Sequence, residues 1–186
     1  MERKTTKLKT NKLHQGHYKS ECQLLGLPLY ALTSKPGNKV TITTGEEKGE
    51  WLVATQNEEY TLYAKYRTKQ AGSEIAGEIR WDFQFLTTDE QRLKKLMEEA
   101  KESGRKFRLA LVCGVKSSLK NALGAELVVL DENLVNECIG WNKKMERGES
   151  RRISVRYEKH LGLHVYGTGL TDLQAVKVPR NGIELL

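Results

Sequence analysis

No apolar run in this 186-residue sequence approaches the roughly 20 residues needed to cross a bilayer, so no membrane partner is expected. The opening stretch, MERKTTKLKTNKLHQ, is basic but has no apolar segment behind it, so no secretory signal is expected. Its threonines and asparagine fit poorly into the amphipathic helix of a mitochondrial presequence. Cysteine is scarce as well. Cys22, Cys113 and Cys138 are odd in number, far apart and without CxxC spacing, whereas a secreted chain of this size is expected to pair its cysteines. Reduced, buried thiols in a cytoplasmic protein are the expectation.

Complete catalytic motifs are also missing. Cys113-Gly114 ends an apolar segment, the place of a nucleophilic cysteine before a phosphate loop, but position 119, where such a loop needs a clamping arginine, is Leu119. Gly114-Val115-Lys116-Ser117 carries the lysine and serine of a nucleotide-binding P-loop without the glycines that the loop requires. The histidines fall in two pairs, His14/His17 and His160/His164. The second pair has zinc-like spacing, yet Gly162 between its members favours a turn. No cofactor, no metal and no catalytic residue is therefore expected.

What the sequence does carry is a patterned α+β chain. Ile79, Trp81, Phe83 and Phe85 alternate with Glu78, Arg80, Asp82 and Gln84, the period of a half-buried strand. Segments 40–44, 51–55, 60–67 and 78–86, joined by short polar loops, predict an antiparallel meander over about 40–86. Thr88 with Asp89-Glu90-Gln91 predicts a helix over about 89–103, its Leu93, Leu96, Met97 and Ala100 facing a core. Buried strands are expected at about 107–113 and 126–130, a helix at about 132–142 capped by Asp131, and a C-terminal β-hairpin from 151–158 and 163–167 followed by a short strand near 175–179. Gly26 and Pro28 break the cluster CQLLGLPLYAL (22–32), predicting a short strand or core-anchoring loop there. Residues 1–20 are expected to form a flexible basic arm and 21–186 one α+β domain, within which 150–186 reads as a small β subdomain.

The element order from Trp51 to Cys113, strand–strand–strand–helix–strand, resembles restriction-endonuclease-like cores. The resemblance implies a divalent metal held by an acid on the second strand and an acid-x-lysine pair on the third, the lysine activating water. The third strand offers Glu78-Ile79-Arg80 or Asp82-Phe83-Gln84, and neither ends in lysine. The second strand has only Glu58 and Glu59 at its mouth. A metal-dependent nuclease with Asp82 at its centre is thus one alternative.

The first reading rests on charge. The chain carries +7, concentrated in two places. Residues 1–20 hold six cations against Glu2, and residues 143–159 hold seven against Glu146, Glu149 and Glu158. Basic residues interleave with aromatics on two predicted strands: Lys65 and Arg67 beside Tyr60, Tyr63 and Tyr66, and Arg151, Arg152, Arg156 and Lys159 beside Tyr157, with His164 and Tyr166 on the partner strand. Lysine and arginine neutralise phosphates, and tyrosine rings offer stacking faces to unpaired bases. By strand parity both strands present one basic face. DNA or RNA is the expected partner, and Arg80, Asp82 and Gln84 form a polar strand face suited to a ligand. The alternative is a protein-docking or regulatory factor anchored by Trp141 and Tyr166.

Overall fold

The computed structural model describes residues 23–34, 39–73, 78–114, 124–180, 182 and 186. The basic arm at 1–20 lies outside the described residues. Among the described residues, helices α1 (Leu27–Thr33), α2 (Thr87–Glu102) and α3 (Glu132–Ile139) accompany strands β1 (Thr41–Thr44), β2 (Glu50–Ala54), β3 (Glu59–Arg67), β4 (Ala71–Ser73), β5 (Glu78–Phe85), β6 (Lys106–Cys113), β7 (Glu126–Asp131), β8 (Arg151–Glu158), β9 (Gly162–Gly167) and β10 (Val176–Val178). This is the expected α+β class, with mostly antiparallel pairing. No helix among the described residues is long and apolar enough to cross a membrane.

The strands divide between two five-stranded sheets, ordered β1-β2-β3-β6-β7 and β10-β9-β8-β5-β4. The expected meander holds only as far as β3. β3 pairs in parallel with β6, Tyr60 opposite Lys106 through Arg67 opposite Cys113, and β5 crosses into the second sheet to lie along β8. Alternation fixes which face of a strand is apolar but not which strand lies beside it, so this partition is invisible to periodicity. The predicted C-terminal hairpin forms as β8–β9, and its first strand is hydrogen-bonded along all eight residues of β5. β4 has no apolar pattern and was not anticipated.

Apolar faces of the two sheets meet with α2 and α3 in one core. Trp81, Phe83 and Phe85 of β5 and Ile153 and Val155 of β8 oppose Phe107, Leu109 and Leu111 of β6. The other face of the first sheet is closed by Leu24, Leu25, Ala31, Leu32 and Leu186. Here segment 22–32 corrects its expected form. Within the described part it is helical, because Pro28 falls in the first turn of α1, where its missing N–H is one that no helix satisfies internally.

α2 starts two residues before its expected position. Leu86 is the cap, and the Asp89 carboxylate accepts its backbone N–H at 3.1 Å. At α3 the expected cap is present: Asp131 Oδ1 accepts from Leu134 N at 2.9 Å. This helix ends at Ile139 rather than near 142, because Gly140 turns left-handed at φ 61°. Cys113 and Cys138 are buried free thiols, as expected. Burial raises both, that of Cys113 well above the ordinary thiol range and that of Cys138 to about 12. Iodoacetamide at neutral pH is expected to leave both unmodified in the folded protein and to label both in urea, as read by peptide mass spectrometry. Labelling of the folded protein at the unfolded rate would contradict this burial. Since the Cys138 thiol ionises more readily when unfolded, its contribution to stability is lost as pH climbs from about 9 towards about 12.

Candidate nucleic-acid interface

The second sheet turns its apolar face to the core and its other face outward. Registered residues on neighbouring strands point the same way, so the outer face is built in rows. One row runs Arg80, Arg156, His164 and Lys177, the next Asp82, Ser154 and Tyr166, and the third Gln84 and Arg152. The predicted polar face of β5 and two of the predicted basic residues are therefore brought together. Tertiary pairing accomplishes this across long stretches of chain.

Most of the charge on this face is already spent. Arg80 Nε lies 3.2 Å from the Asp82 carboxylate, which accepts a 2.6 Å bond from the buried Ser154 hydroxyl. Arg156 Nε sits 2.6 Å from Glu158, its other arm pairs with Asp172, and its guanidinium covers the Tyr166 ring at 5.7 Å. His164 Nδ1 is buried without a hydrogen-bond partner among the described residues. An incoming phosphate would have to break these pairs to use Arg80 or Arg156.

The third row is different. Gln84 and Arg152 open onto a cleft of about 630 Å³, whose walls include Lys143, Lys144, Glu149, Ser150 and Thr168. Lys143, Lys144 and Arg152 are exposed. Among the described residues their side chains make no ion pair. Three cations face one carboxylate, and that carboxylate, on Glu149, accepts a 3.1 Å bond from Glu146 N. The walls are held from behind. Arg152 N donates to Thr168 Oγ1 at 2.9 Å, and Thr168 N donates to Arg152 O at 3.0 Å. Gly169 N donates to Cys138 O at 2.8 Å, an approach that only glycine permits, since a Cβ there would meet Glu137 O at 2.0 Å.

Arg151 corrects its expected placement. One position along from Arg152, it points to the core side and is buried. Its guanidinium donates to the carbonyls of Ile139 (3.3 Å), Gly140 (2.6 Å), Trp141 (3.1 Å) and Lys143 (2.8 Å) and meets Glu90 at 3.3 Å. It tethers the loop that bears Lys143 and Lys144 and has no group left for a phosphate.

β3 offers no free basic face either, because both its faces are covered. Lys65 lies between the sheets, 3.0 Å from Asp89 and over the Phe85 ring at 4.6 Å. Arg67, further along the same face, is half-buried with Nε out of reach of solvent. Lys159 is exposed but follows the far end of β8, about 23 Å from Arg152 by strand rise. Of the tyrosines expected to stack, Tyr60 and Tyr63 are core residues, Tyr166 is 5 % exposed on the outer face beneath the Arg156 guanidinium, and Tyr66 and Tyr157 are half-buried. Burial raises Tyr60 and Tyr63 far above the usual phenol range. Trp141 is equally committed, its Nε1 donating to Asn136 Oδ1 at 2.6 Å and its ring under Lys94 at 4.7 Å. Both docking anchors are thus occupied.

The nuclease-like layout does not assemble as its element order implies. β2, β3 and β6 share the first sheet, whereas Asp82 stands on the outer face of the second. Glu58, at the mouth of β3, pairs with Lys106. Among the described residues no three His, Cys, Asp or Glu side chains cluster as metal ligands do. The charge run at 143–159 is legible in the sequence, but Lys143 and Lys144 are not among the expected site residues. Thr168 gave no signal, since it enters through the fold of the β9 end. No family model, curated protein or solved structure matches the chain, so the site's own geometry carries its reading.

Proposed function

We propose that the chain binds nucleic acid without catalysing a reaction on it, seating backbone phosphates against Lys143, Lys144 and Arg152. The observation that supports this reading is the cleft itself: three exposed cations without ion pairs among the described residues, joined by the neutral donors of Gln84 and Thr168. Cations already free of partners are recruited at no cost in broken pairs, and phosphate contacts of this kind position a backbone without reading its bases. With Tyr60, Tyr63 and Tyr166 buried and Tyr66 and Tyr157 half-buried, the reading is of backbone charge rather than of stacked bases. The six cations of residues 1–20 would add to the same grip.

Salt dependence tests it. In a chain lacking residues 1–19, the slope of log affinity against log salt is expected near −2 for single strands and near −3 for duplex, about 0.7–0.9 per phosphate engaged by three cations. The full chain is expected to be steeper. Replacing Lys143, Lys144 and Arg152 together by alanine should flatten the slope of the shortened chain towards zero, while Arg156→Ala leaves it in place. Fluorescence anisotropy with labelled DNA and RNA oligonucleotides reads both slope and preference. Affinity indifferent to salt, or a triple variant that binds as tightly as the parent, would sink the proposal.

A further inference from the structure

A second concavity, of about 490 Å³, lies between the β1–β2 hairpin and α2, within the size range of small-molecule sites. Its chemistry is unlike that of the basic cleft. Leu52 and Leu96 give it an apolar wall; Leu52 is 38 % exposed although its neighbours Trp51 and Val53 are buried. Five charged side chains line it, and four are matched. Glu50 and Arg92 form a two-point pair at 2.6 and 2.5 Å, Arg92 also reaches Glu46 at 3.1 Å, and Lys95 lies 3.3 Å from Glu46 and 3.4 Å from Glu99.

Arg105 is the exception. Its side chain makes no ion pair or hydrogen bond among the described residues, and its Nε is buried with no acceptor. Beside it in the lining, Thr61 is 3 % exposed, and its hydroxyl too has no partner. A half-buried guanidinium without a counter-ion pays desolvation without return, and a bound anion removes that deficit. One free cation calls for one negative charge. The fork of a guanidinium matches the two oxygens of a carboxylate, whereas a phosphate dianion would face the wall's carboxylates with a single cation to hold it.

We infer that this cleft binds a small molecule carrying one carboxylate on an apolar body, the carboxylate forked on Arg105 and the body against Leu52 and Leu96. The site is separate from the basic cleft and does not depend on nucleic-acid binding. Hexanoate, with hexanol as its uncharged counterpart, probes it on the full chain by amide NMR. Hexanoate is expected to shift the amides of Leu52, Thr61, Ser103 and Arg105 saturably by about 10 mM. Hexanol is expected to bind at least about 10-fold more weakly. Arg105→Gln should weaken hexanoate by a similar factor with an unchanged thermal midpoint, because the residue makes no internal pair to lose. Leu52→Asn should weaken hexanoate and hexanol together. Equal binding of the two probes, an unaffected Arg105→Gln variant, absent shifts at these amides, or shifts gathered instead around Lys143 and Lys144 would each overturn the inference.

Discussion

Arg151→Met is expected to lower the unfolding free energy by about 3–5 kcal/mol in urea titrations, the loss typical when one partner of a buried, hydrogen-bonded charge is removed. Methionine replaces most of the aliphatic stem, so the loss comes from stranded polar groups rather than from a cavity. Four carbonyls at and beyond the end of α3 each lose the guanidinium as a donor, Gly140 O retaining Lys143 N, and Glu90 loses its cation. Arg151→Lys keeps the charge but cannot span four acceptors with one ammonium, and should fall between the two. Arg152→Ala, one residue on, is expected to move stability by less than about 0.5 kcal/mol while weakening nucleic-acid binding. An Arg151→Met protein within about 1 kcal/mol of the parent would refute the tether. Adjacent arginines, one facing the core and one facing solvent, thus carry opposite signatures.

The Arg92–Glu50 pair should show the second large effect. Glu50 is 2 % exposed, and its carboxylate, which also accepts the Glu47 N–H at 3.1 Å, loses its two-point cation when Arg92 is replaced. Arg92→Met is therefore expected to cost about 3–5 kcal/mol, a drop of roughly 10 °C in thermal midpoint for a chain of this length. Glu50→Leu should cost less, because Arg92 retains Glu46 at 3.1 Å and Glu47 at 4.0 Å. The double variant is expected to recover to within about 1–2 kcal/mol of the parent, since buried pairs often match apolar replacements in stability. Simple additivity of the two single losses would show that the pair is not coupled.

Local pattern revealed the faces of the strands and little about their neighbours. Ile79, Trp81, Phe83 and Phe85 point to the core as their alternation predicted, and Asp131 caps its helix. Parity also separated Lys65 from Tyr66 correctly. It could not show that the Lys65 face is itself covered, for a lysine can lay its stem on Phe85 and still carry its ammonium to Asp89. Parity set Arg152 and Arg156 on one face, yet the charge count kept Arg151 beside them in the expected site. Pro28 read as a breaker because its meaning depends on whether it falls in a first turn or a later one. In the candidate site, Lys143, Lys144 and Arg152 lie in a legible charge run, whereas Gln84 and Thr168 arrive from elements distant in sequence. Those two depend on a sheet partition that periodicity does not encode.

That partition also shapes how the chain can reach its native state. The path from β3 to its parallel neighbour β6 first detours through β4 and β5 of the other sheet and then through α2. The Asp82–Ser154 bond closes a separation of 72 residues. Helix α2 can form early from local contacts, but each sheet waits for segments that the other also needs. Loop-closure entropy is lost before non-local strand pairs return it, so the chain is expected to refold more slowly than a helical bundle of its length. The basic cleft, built where β5, β8 and the end of β9 converge, needs those non-local pairs in place before it exists.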